Sequence, residues 1–270
     1  MTKQLINING RLIDLSEPKI MAIVNATPDS FFSGSRLADI LPSDYVQQLL
    51  NEGADIIDIG ACSTRPGSTP PSETEEWTRL EPVLKNIRSC FPDIILSIDT
   101  FRAKIAERAV NEYGVNIIND ISGGLADAEM FRTVAKLNVP FILTHNSPNQ
   151  ANTMADIVDF LQQRINTLQR LGAKDIIIDP GLGFNKSLDD NWHILSHLHD
   201  LEVLELPLLI GLSRKSMLTK LLNITADEAL NATTAAHIFA LQGGANILRV
   251  HDVKAAKQAA TLYNKILNSI

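Results

Sequence analysis

A chain of 270 residues, 45% of them hydrophobic, is long enough to bury one large core, and a single α/β barrel or sheet is common at this length. Aromatic residues make up only 5% of the chain, so aliphatic side chains must fill that core. The formal net charge of -7 argues against general binding to nucleic acids or anionic membranes, so any anion-binding site must be local.

The two cysteines, Cys62 and Cys90, are too few for a disulfide framework or a cysteine zinc site. The N-terminus lacks the basic segment and apolar core of a signal peptide. No apolar run approaches the length of about 18 residues that a membrane span needs. A reducing compartment is the simplest interpretation, and we expect a cytoplasmic protein without membrane or nucleic-acid partners.

The chain opens with a hairpin signal. Residues 4–8 and 11–15 flank Asn9-Gly10, the pair that most favours a tight two-residue turn. We expect this hairpin to close the bottom of the domain. Eight strand-like runs follow, at residues 20–26, 55–61, 94–100, 115–122, 140–146, 175–181, 207–213 and 246–251.

Segments with helical spacing separate these runs. The clearest lie at residues 43–52, 73–90, 102–113, 156–171, 226–242 and 254–268, and weaker ones lie at 127–137 and 188–200. Acidic residues open the helix at 73–90, with Glu73, Glu75 and Glu76. They also open the helix at 226–242, with Asp227 and Glu228. Negative charge is favourable there because it meets the positive end of the helix dipole.

Eight alternating βα units predict a (β/α)8 barrel, and no linker or low-complexity tract divides residues 1–270, so we assign one domain. A doubly wound sheet stays open as the alternative, because alternation does not say whether the sheet closes. The strand ends favour the barrel, whose enzymes place their active sites at the carboxyl ends of the strands. Polar residues follow nearly every strand: Asn25, Cys62-Ser63, Asp99, Asn119-Asp120, His145-Asn146, Asp179, Ser213-Arg214-Lys215 and Arg249-Val250-His251-Asp252.

Four stretches are more specific than this pattern. They are MAIVNATPDSF at residues 21–31, STRPG at 63–67, DPGLGF at 179–184 with Lys186, and GLSRKS at 211–216, and RVH at 249–251 completes the set. In this order, over essentially its whole length, the chain resembles the dihydropteroate synthase family. The resemblance implies a transferase of folate biosynthesis that joins 6-hydroxymethyl-7,8-dihydropterin diphosphate to 4-aminobenzoate and releases 7,8-dihydropteroate and diphosphate. It also implies Mg2+ as cofactor, a homodimer, and sulfonamides as mimics of 4-aminobenzoate.

The resemblance assigns five residues to the pterin. Asp179 would accept the adjacent N–H donors of the amino-pyrimidinone edge, as an ionised carboxylate can accept in pairs. Asp99 and Asn119 would meet the other ring nitrogens. Lys215 would donate to the pterin oxygen or a ring nitrogen, and Arg249 would lay its guanidinium plane on the ring while facing the diphosphate.

The diphosphate and the second substrate have their own candidates. The family's anion-binding positions are Asn25, Thr64, Arg65, Arg249 and His251, and Asn25 also lies near the metal, where a hard Mg2+ would accept its amide oxygen. Phe31, Pro66 and Ser216 match positions that line the 4-aminobenzoate site. Departure of diphosphate would leave a pterin-stabilised cation on an SN1-like path. That path needs no strong nucleophile but must exclude water.

The chain departs from the family pattern at several positions. Ser33 replaces a second acid in the first loop, and Cys62 stands where glutamate is frequent before STRPG. These two changes concern contacts between loops and not the pterin pocket. Asn185 stands where glycine is usual, and Thr144-His145-Asn146 replaces a common Met-His-Met.

Simpler structural roles compete for some residues. We expect Cys62 to be a structural thiol and His145 to lie in the barrel mouth without a direct catalytic role. The sequence lacks a fourth ligand beside His193, His197 and His199, so a solvated helix face is favoured over a metal site. Lys215 could form a Schiff base, as in barrel aldolases, but its neighbours match the synthase pattern better.

Two other functions stay open. A methyltetrahydrofolate-binding methyltransferase shares the barrel and some pterin-binding acids, but would have no use for the two loop motifs. A non-catalytic pterin-binding paralogue is the other. If the chain is a synthase, the loops at residues 27–36 and 62–72 should be mobile in the free protein and order over bound diphosphate and Mg2+. Pterin diphosphate would then bind first and 4-aminobenzoate second.

Overall fold

The computed structural model describes residues 5–26, 41–62, 69–147 and 152–269. Strands β1 (Leu5–Ile8) and β2 (Arg11–Asp14) pair antiparallel, which confirms the predicted hairpin. Asn9 and Gly10 at its tip have φ of 51° and 82°. Two successive left-handed residues are what the tight turn requires, and asparagine and glycine adopt that conformation at low cost.

The eight remaining strands are parallel and form one sheet. They are β3 (Lys19–Asn25), β4 (Ile56–Gly60), β5 (Ile95–Asp99), β6 (Ile117–Asp120), β7 (Phe141–Thr144), β8 (Ile176–Asp179), β9 (Leu209–Ile210) and β10 (Ile247–Val250). Their spatial order is β8-β7-β6-β5-β4-β3-β10-β9. A parallel bridge from Ile178 to Leu208 joins the two edges of the sheet. The sheet therefore closes as the predicted barrel, and the doubly wound alternative is wrong.

Helices cover the outside of this barrel. Within the described residues they are α1 (Pro42–Glu52), α2 (Glu73–Cys90), α3 (Ala103–Tyr113), α4 (Met130–Leu137), α5 (Met154–Leu171), α6 (Leu188–Ser196), α7 (Ser216–Leu222), α8 (Leu230–Gln242) and α9 (Val253–Leu267). The predicted acidic first turn of α2 is confirmed, and Ser72 caps this helix by accepting a hydrogen bond from the Glu75 amide.

The predicted helix at residues 226–242 begins four residues late. Residues 226–229 form a turn, and the Glu228 carboxylate accepts hydrogen bonds from the backbone amide and the hydroxyl of Thr225 at 2.9 and 2.8 Å. This side-chain bonding stabilises the turn instead of a helix start. The expectation that Asp227 and Glu228 open the helix is therefore wrong.

Two further elements differ from the predictions. The predicted helix at 188–200 divides into α6 and a 3-10 helix, Leu198–Leu204. The predicted strand at 207–213 shortens to the two residues of β9, and α7 begins soon afterwards. Seven residues of α7 are too few for a clear helical period, which is why the sequence pattern did not indicate it.

The hairpin closes the bottom of the barrel, as predicted. Ile6, Ile8 and Leu15 are buried in one apolar cluster with residues from the amino-terminal ends of the barrel strands, including Met21 and Ile56. A larger aliphatic layer lies between the strands and the helices. Among the described helices, none is both long and apolar enough to cross a membrane. With one end closed by the hairpin, the polar strand ends are left at the opposite, carboxyl end.

Candidate active site

Polar side chains from neighbouring strands lie at one level of the barrel mouth. Asn25 on β3 pairs in register with Gly60 on β4, which pairs with Asp99 on β5, which pairs with Asn119 on β6. In a parallel sheet, residues in register lie side by side along the hydrogen-bonding direction. Glycine at position 60 carries no side chain into this row. Three predicted site residues are thus brought together.

An ion-pair cluster joins β4, β5 and β10. Arg249 Nε donates to Asp58 Oδ2 at 2.7 Å and its Nη2 donates to Asp99 Oδ2 at 2.5 Å. Asn119 Nδ2 donates to the same Asp58 oxygen at 3.1 Å. The Asp58 side chain is fully buried, and the Arg249 side chain is 19% exposed. Because Asp58 takes the amide donor of Asn119, the amide oxygen of Asn119 stays available as an acceptor.

The carboxylates and the guanidinium change each other's ionisation. Burial raises the pKa of Asp99 to about 7, against the lowering effect of Arg249 and with the help of nearby Asp58. Burial opposes the charge on Arg249, but Asp58 and Asp99 outweigh burial and hold the Arg249 pKa above its ordinary value. A carboxyl that titrates near neutral pH can offer either a proton or a lone pair to a ring nitrogen.

Asp58 was missed from the sequence. It is the one acid within the aliphatic run Ile56–Gly60, and a carboxylate in the middle of a buried strand is costly unless a cation or donor meets it. That cost was the signal in the sequence that could have indicated a buried partner for Asp58. Its partner Arg249 lies 191 residues away in the chain, so the pairing itself could not be anticipated.

Asp179 lies at the end of β8, where the backbone turns sharply. Its Oδ1 accepts a hydrogen bond from the Gly181 amide at 2.7 Å, and the described residues donate no hydrogen bond to Oδ2. Gly181 has φ of 69°, and a Cβ at this position would lie 2.0 Å from the backbone oxygen of His145. Only glycine fits there. Burial raises the pKa of Asp179, with Lys215 and the Gly181 amide acting against it.

Lys215 follows β9 and contacts the DPGLGF turn. Its Nζ donates to the backbone oxygen of Leu182 and lies 4.8 Å from the centre of the Phe184 ring. Burial lowers the pKa of Lys215 to about 8, although Asp179 favours its charge. Among the described residues, the Lys215 ammonium donates a hydrogen bond only to this neutral carbonyl.

The other described candidates lie around this rim. Asn25 and Ser216 are exposed, at the last residue of β3 and the first residue of α7. His251 is exposed just after β10, and its backbone amide donates to Ser213 Oγ at 3.2 Å. Phe31, Ser33, Thr64, Arg65 and Pro66 lie outside the described residues, as do most of the two loops, so those predictions stay predictions.

A second lysine, Lys186, contacts the buried side chain of His145. Lys186 Nζ lies 3.0 Å from His145 Nδ1 and donates to the backbone oxygens of His145 and Phe184 at 3.1 and 3.2 Å. Burial and this ammonium lower the pKa of His145 to about 4, and its ring meets Phe160 edge-on at 4.8 Å. A neutral, fully buried ring packed in this way favours a structural role for His145 over a role in proton transfer.

Two departures from the family pattern contact each other. Asn185 has φ of 46°, a left-handed conformation that glycine adopts freely and asparagine tolerates better than most residues. Its Nδ2 donates to Asn146 Oδ1 at 2.7 Å, and Asn146 Nδ2 donates to the backbone oxygen of Ile121 at 2.9 Å. The two asparagines therefore join the turn after β8 to the strand ends beside it.

Cys62 and the three histidines do not form a reactive or metal-binding group among the described residues. Burial, followed by the carboxylate of Glu76, raises the pKa of the half-buried Cys62 thiol to about 12, which favours the unreactive thiol. The rings of His193 and His197 lie 4.2 Å apart, with His193 exposed. The part of the chain that is described contains no cluster of three or more histidine, cysteine or acidic residues suited to a metal.

The chain is similar to known proteins over most of its length. The family of pterin-binding enzymes matches residues 21–251. A dihydropteroate synthase of Clostridium beijerinckii is 42% identical, covering 92% of this chain and 94% of the relative. A Xanthomonas albilineans dihydropteroate synthase with 4-aminobenzoic acid has TM-score 0.89 and 35% identity, covering 98% of this chain and 99% of the other. A Yersinia pestis dihydropteroate synthase in a sulfonamide complex has TM-score 0.89 and 36% identity, covering 98% and 100%.

Proposed function

This chain belongs to the dihydropteroate synthase family, and we propose that the polar mouth of its barrel is the synthase active site. Its activity is a transfer in folate biosynthesis: 6-hydroxymethyl-7,8-dihydropterin diphosphate and 4-aminobenzoate give 7,8-dihydropteroate and diphosphate. The observation that carries the site assignment is the convergence of Asp99, Asn119, Asp179, Lys215 and Arg249 at one end of the barrel. Those are the five residues that the family motifs assign to the pterin.

We assign the pterin ring to the space between the two charge groups. Asp179 offers Oδ2 to the amino-pyrimidinone donors, since its other oxygen already accepts from Gly181. Asn119 offers its amide oxygen, and Asp99 offers a carboxyl that titrates near neutral pH. Lys215 would exchange the Leu182 carbonyl for the pterin oxygen or a ring nitrogen. Each proposed contact with the pterin pairs a donor with an acceptor, as the burial of polar groups requires.

The diphosphate would lie outside the ring, toward the exposed rim. Arg249 and His251 would meet it from the end of β10 and Asn25 from the end of β3. The family resemblance adds Thr64 and Arg65 to this set. Burial of the ring would leave the leaving group among these cations and donors. Their task is to stabilise the negative charge that develops as the carbon–oxygen bond breaks, on the SN1-like path.

The residues at the end of β3 fit a hard metal ion only in part. Asn25 is exposed, and its side chain makes no hydrogen bond to another described residue, so its amide oxygen is available. One protein oxygen suffices if oxygens of the substrate diphosphate and water complete the coordination shell of the ion. Mg2+ is commonly bound in this way at phosphate sites. Mg2+ would supply additional charge compensation to the leaving group. Asn25 is thus the residue that we assign to it.

The aromatic amine would approach from the exposed rim. Ser216 lies there at the start of α7, and we assign it to 4-aminobenzoate together with Phe31 and Pro66. The Xanthomonas relative is described with 4-aminobenzoic acid and the Yersinia relative with a sulfonamide, and we propose that this chain binds both classes of ligand. With Cys62 kept as a thiol, the amine itself is the nucleophile.

We also propose a homodimer that associates through its last helices. Phe239 on α8 and Leu262 and Ile266 on α9 are large apolar side chains that are mostly exposed, and the two helices pack together. Exposed apolar side chains that share a surface favour association. We further propose that residues 1–270 are one domain and that the protein is cytoplasmic, in keeping with its two free cysteines.

The deciding experiment is release of diphosphate. The purified protein with pterin diphosphate and Mg2+ should release diphosphate at a substantial rate only when 4-aminobenzoate is added. The organic product should be 7,8-dihydropteroate, identified by mass spectrometry. Binding of the pterin without turnover would instead identify a non-catalytic pterin-binding paralogue. Indifference to 4-aminobenzoate, with methyl transfer from a methylated folate, would identify a methyltransferase.

A further inference from the structure

Arg214 adopts a backbone conformation that is uncommon for its residue type. Its φ is 55°, in the left-handed region, and it lies directly between Ser213 and Lys215. A non-glycine residue in this region costs free energy and persists only where surrounding contacts over-determine it. The contacts that hold Arg214 should therefore indicate what the turn at residues 213–215 does.

Three side chains hold Arg214 in place. Its backbone amide donates to Thr233 Oγ1 on α8 at 3.2 Å. Its guanidinium forms a two-pronged pair with Asp252, from Nε to Oδ2 at 3.0 Å and from Nη2 to Oδ1 at 2.7 Å. Its Nη1 donates to Asp227 Oδ1 at 3.1 Å. A fork of two parallel hydrogen bonds fixes orientation as well as distance.

The two acids differ in their exposure to solvent. The Asp252 side chain is 20% exposed and the Asp227 side chain is 95% exposed, against 32% for Arg214. A charge pair in open solvent is weak because water screens it, whereas the partly buried fork is screened less. Asp252 is therefore the partner that holds the guanidinium, and Asp227 is a natural control on the same side chain.

The fork joins the ends of two strands. Arg214 immediately precedes Lys215, and Asp252 immediately follows His251. The strands themselves pair at only two positions, Ile247 with Leu209 and Leu248 with Ile210, because β9 is only two residues long. Such short pairing leaves the turn after β9 without ladder hydrogen bonds to β10. The Lys215 amide bonds within the turn, to the Leu212 oxygen at 3.2 Å, so side-chain contacts are needed to fix this turn against the end of β10.

We propose that Arg214 and Asp252 are positioning residues that hold Lys215 and His251 at the correct separation for the pterin and its diphosphate. The left-handed turn at Arg214 directs the next residue, Lys215, back across the mouth to the Leu182 carbonyl on the DPGLGF turn. The fork between Arg214 and Asp252 holds that turn in a fixed position relative to the end of β10. This inference rests on the proposed roles of Lys215 and His251.

The first test needs no catalysis. In the ligand-free protein, reductive methylation of Lys215 is followed by mass spectrometry in the parent and in Arg214→Lys, Asp252→Asn and Asp227→Asn. Lysine keeps the charge but cannot form the fork, so Arg214→Lys and Asp252→Asn should methylate Lys215 faster by at least about tenfold, the factor that about 1.4 kcal/mol represents. Asp227→Asn should match the parent. Exposed Lys254 reports the reagent's activity in every sample.

The second test measures turnover. Arg214→Lys and Asp252→Asn should raise KM for pterin diphosphate about tenfold, and the double variant should be no worse than the poorer single variant, since both remove one contact. Melting temperatures identify a variant that is only less stable. If both single variants melt lower while methylation rate and KM stay at the parent values, the fork is merely structural and the inference is overturned. A parent protein that never turns over contradicts the proposed function, whereas the methylation rates still decide the positioning role.

Discussion

The two halves of the barrel mouth hold their charges in different ways. On one half, Arg249 of β10 contacts the carboxylates of Asp58 and Asp99 directly. On the other half, Asp179 is held by the Gly181 amide and Lys215 by the Leu182 carbonyl, and the two do not form an ion pair in the described structure. Both halves are largely buried, yet only in the first do oppositely charged side chains hydrogen-bond directly to each other.

Burial has opposite outcomes in these halves because the neighbours differ. Paired acids raise the pKa of Arg249, whereas Lys215, with only a carbonyl as its hydrogen-bond partner, has its pKa lowered to about 8. We infer that the Arg249 half is set before any ligand binds. The Lys215 half keeps unused hydrogen-bonding capacity, and a pterin would complete it. Breaking the first half should therefore cost stability as well as affinity, whereas breaking the second should cost mainly affinity.

The largest effect should come from breaking the Arg249 half. Asp58→Ala leaves the buried guanidinium with Asp99 alone and removes the acceptor of Asn119, so unfolding free energy should fall by about 3 kcal/mol. Urea denaturation measures this loss. Glu107→Ala, which removes an exposed partner of Lys136, is the matched control and should change stability far less. Equal losses for the two variants would mean that the cluster does not stabilise the fold.

Asp179→Asn should weaken pterin binding without a comparable loss of stability. The amide presents a donor where the carboxylate accepts, and an unpaired buried polar group costs about 1–3 kcal/mol, so affinity for pterin diphosphate should fall at least about tenfold. Calorimetry measures it. Asp189→Asn on the exposed start of α6 supplies the control. Unchanged affinity in Asp179→Asn would remove this residue from the pocket.

Raising the pH should weaken binding through Lys215. Its pKa in the free protein is about 8, below the ordinary lysine value, so the donor ammonium is present below that pH and is lost above it. If the pterin binds the charged form of Lys215, affinity should fall above about pH 8, by at most about tenfold per pH unit. Lys186→Met should keep this profile, although burial also lowers the pKa of Lys186 to about 8. If the Lys215→Met variant shows the same pH dependence of affinity as the parent, Lys215 is not the group that causes it.

The smallest effect is expected at Cys62. The raised pKa keeps it a thiol, and the proposed path has no covalent enzyme intermediate, so Cys62→Ala should retain most of kcat. Steady-state turnover measures it, with circular dichroism to show that the protein is folded. Loss of all turnover in a folded Cys62→Ala protein would contradict the mechanism.

The positions of strands and helices followed from the sequence because their signals are local. Eight aliphatic runs, the Asn9-Gly10 turn and the acidic start of α2 each depend on neighbouring residues in the chain. The errors occurred where a side-chain contact competed with periodicity. Glu228 bonds to Thr225 and delays α8. The Arg214 amide bonds to the Thr233 hydroxyl in a turn that precedes α7.

By itself, then, the sequence determined the alternation of strands and helices, the carboxyl-end location of the polar residues and the family to which the motifs belong. The structure decided that the sheet closes, through the bridge from Ile178 to Leu208. Only the tertiary structure decided which charges are paired. Asp58 meets Arg249, which lies 191 residues away in the chain, and Arg214 meets Asp252, which lies 38 residues away beyond the next strand. The reason is physical: periodicity reports which face of an element is apolar, whereas an ion pair depends on how barrel closure brings distant strand ends together.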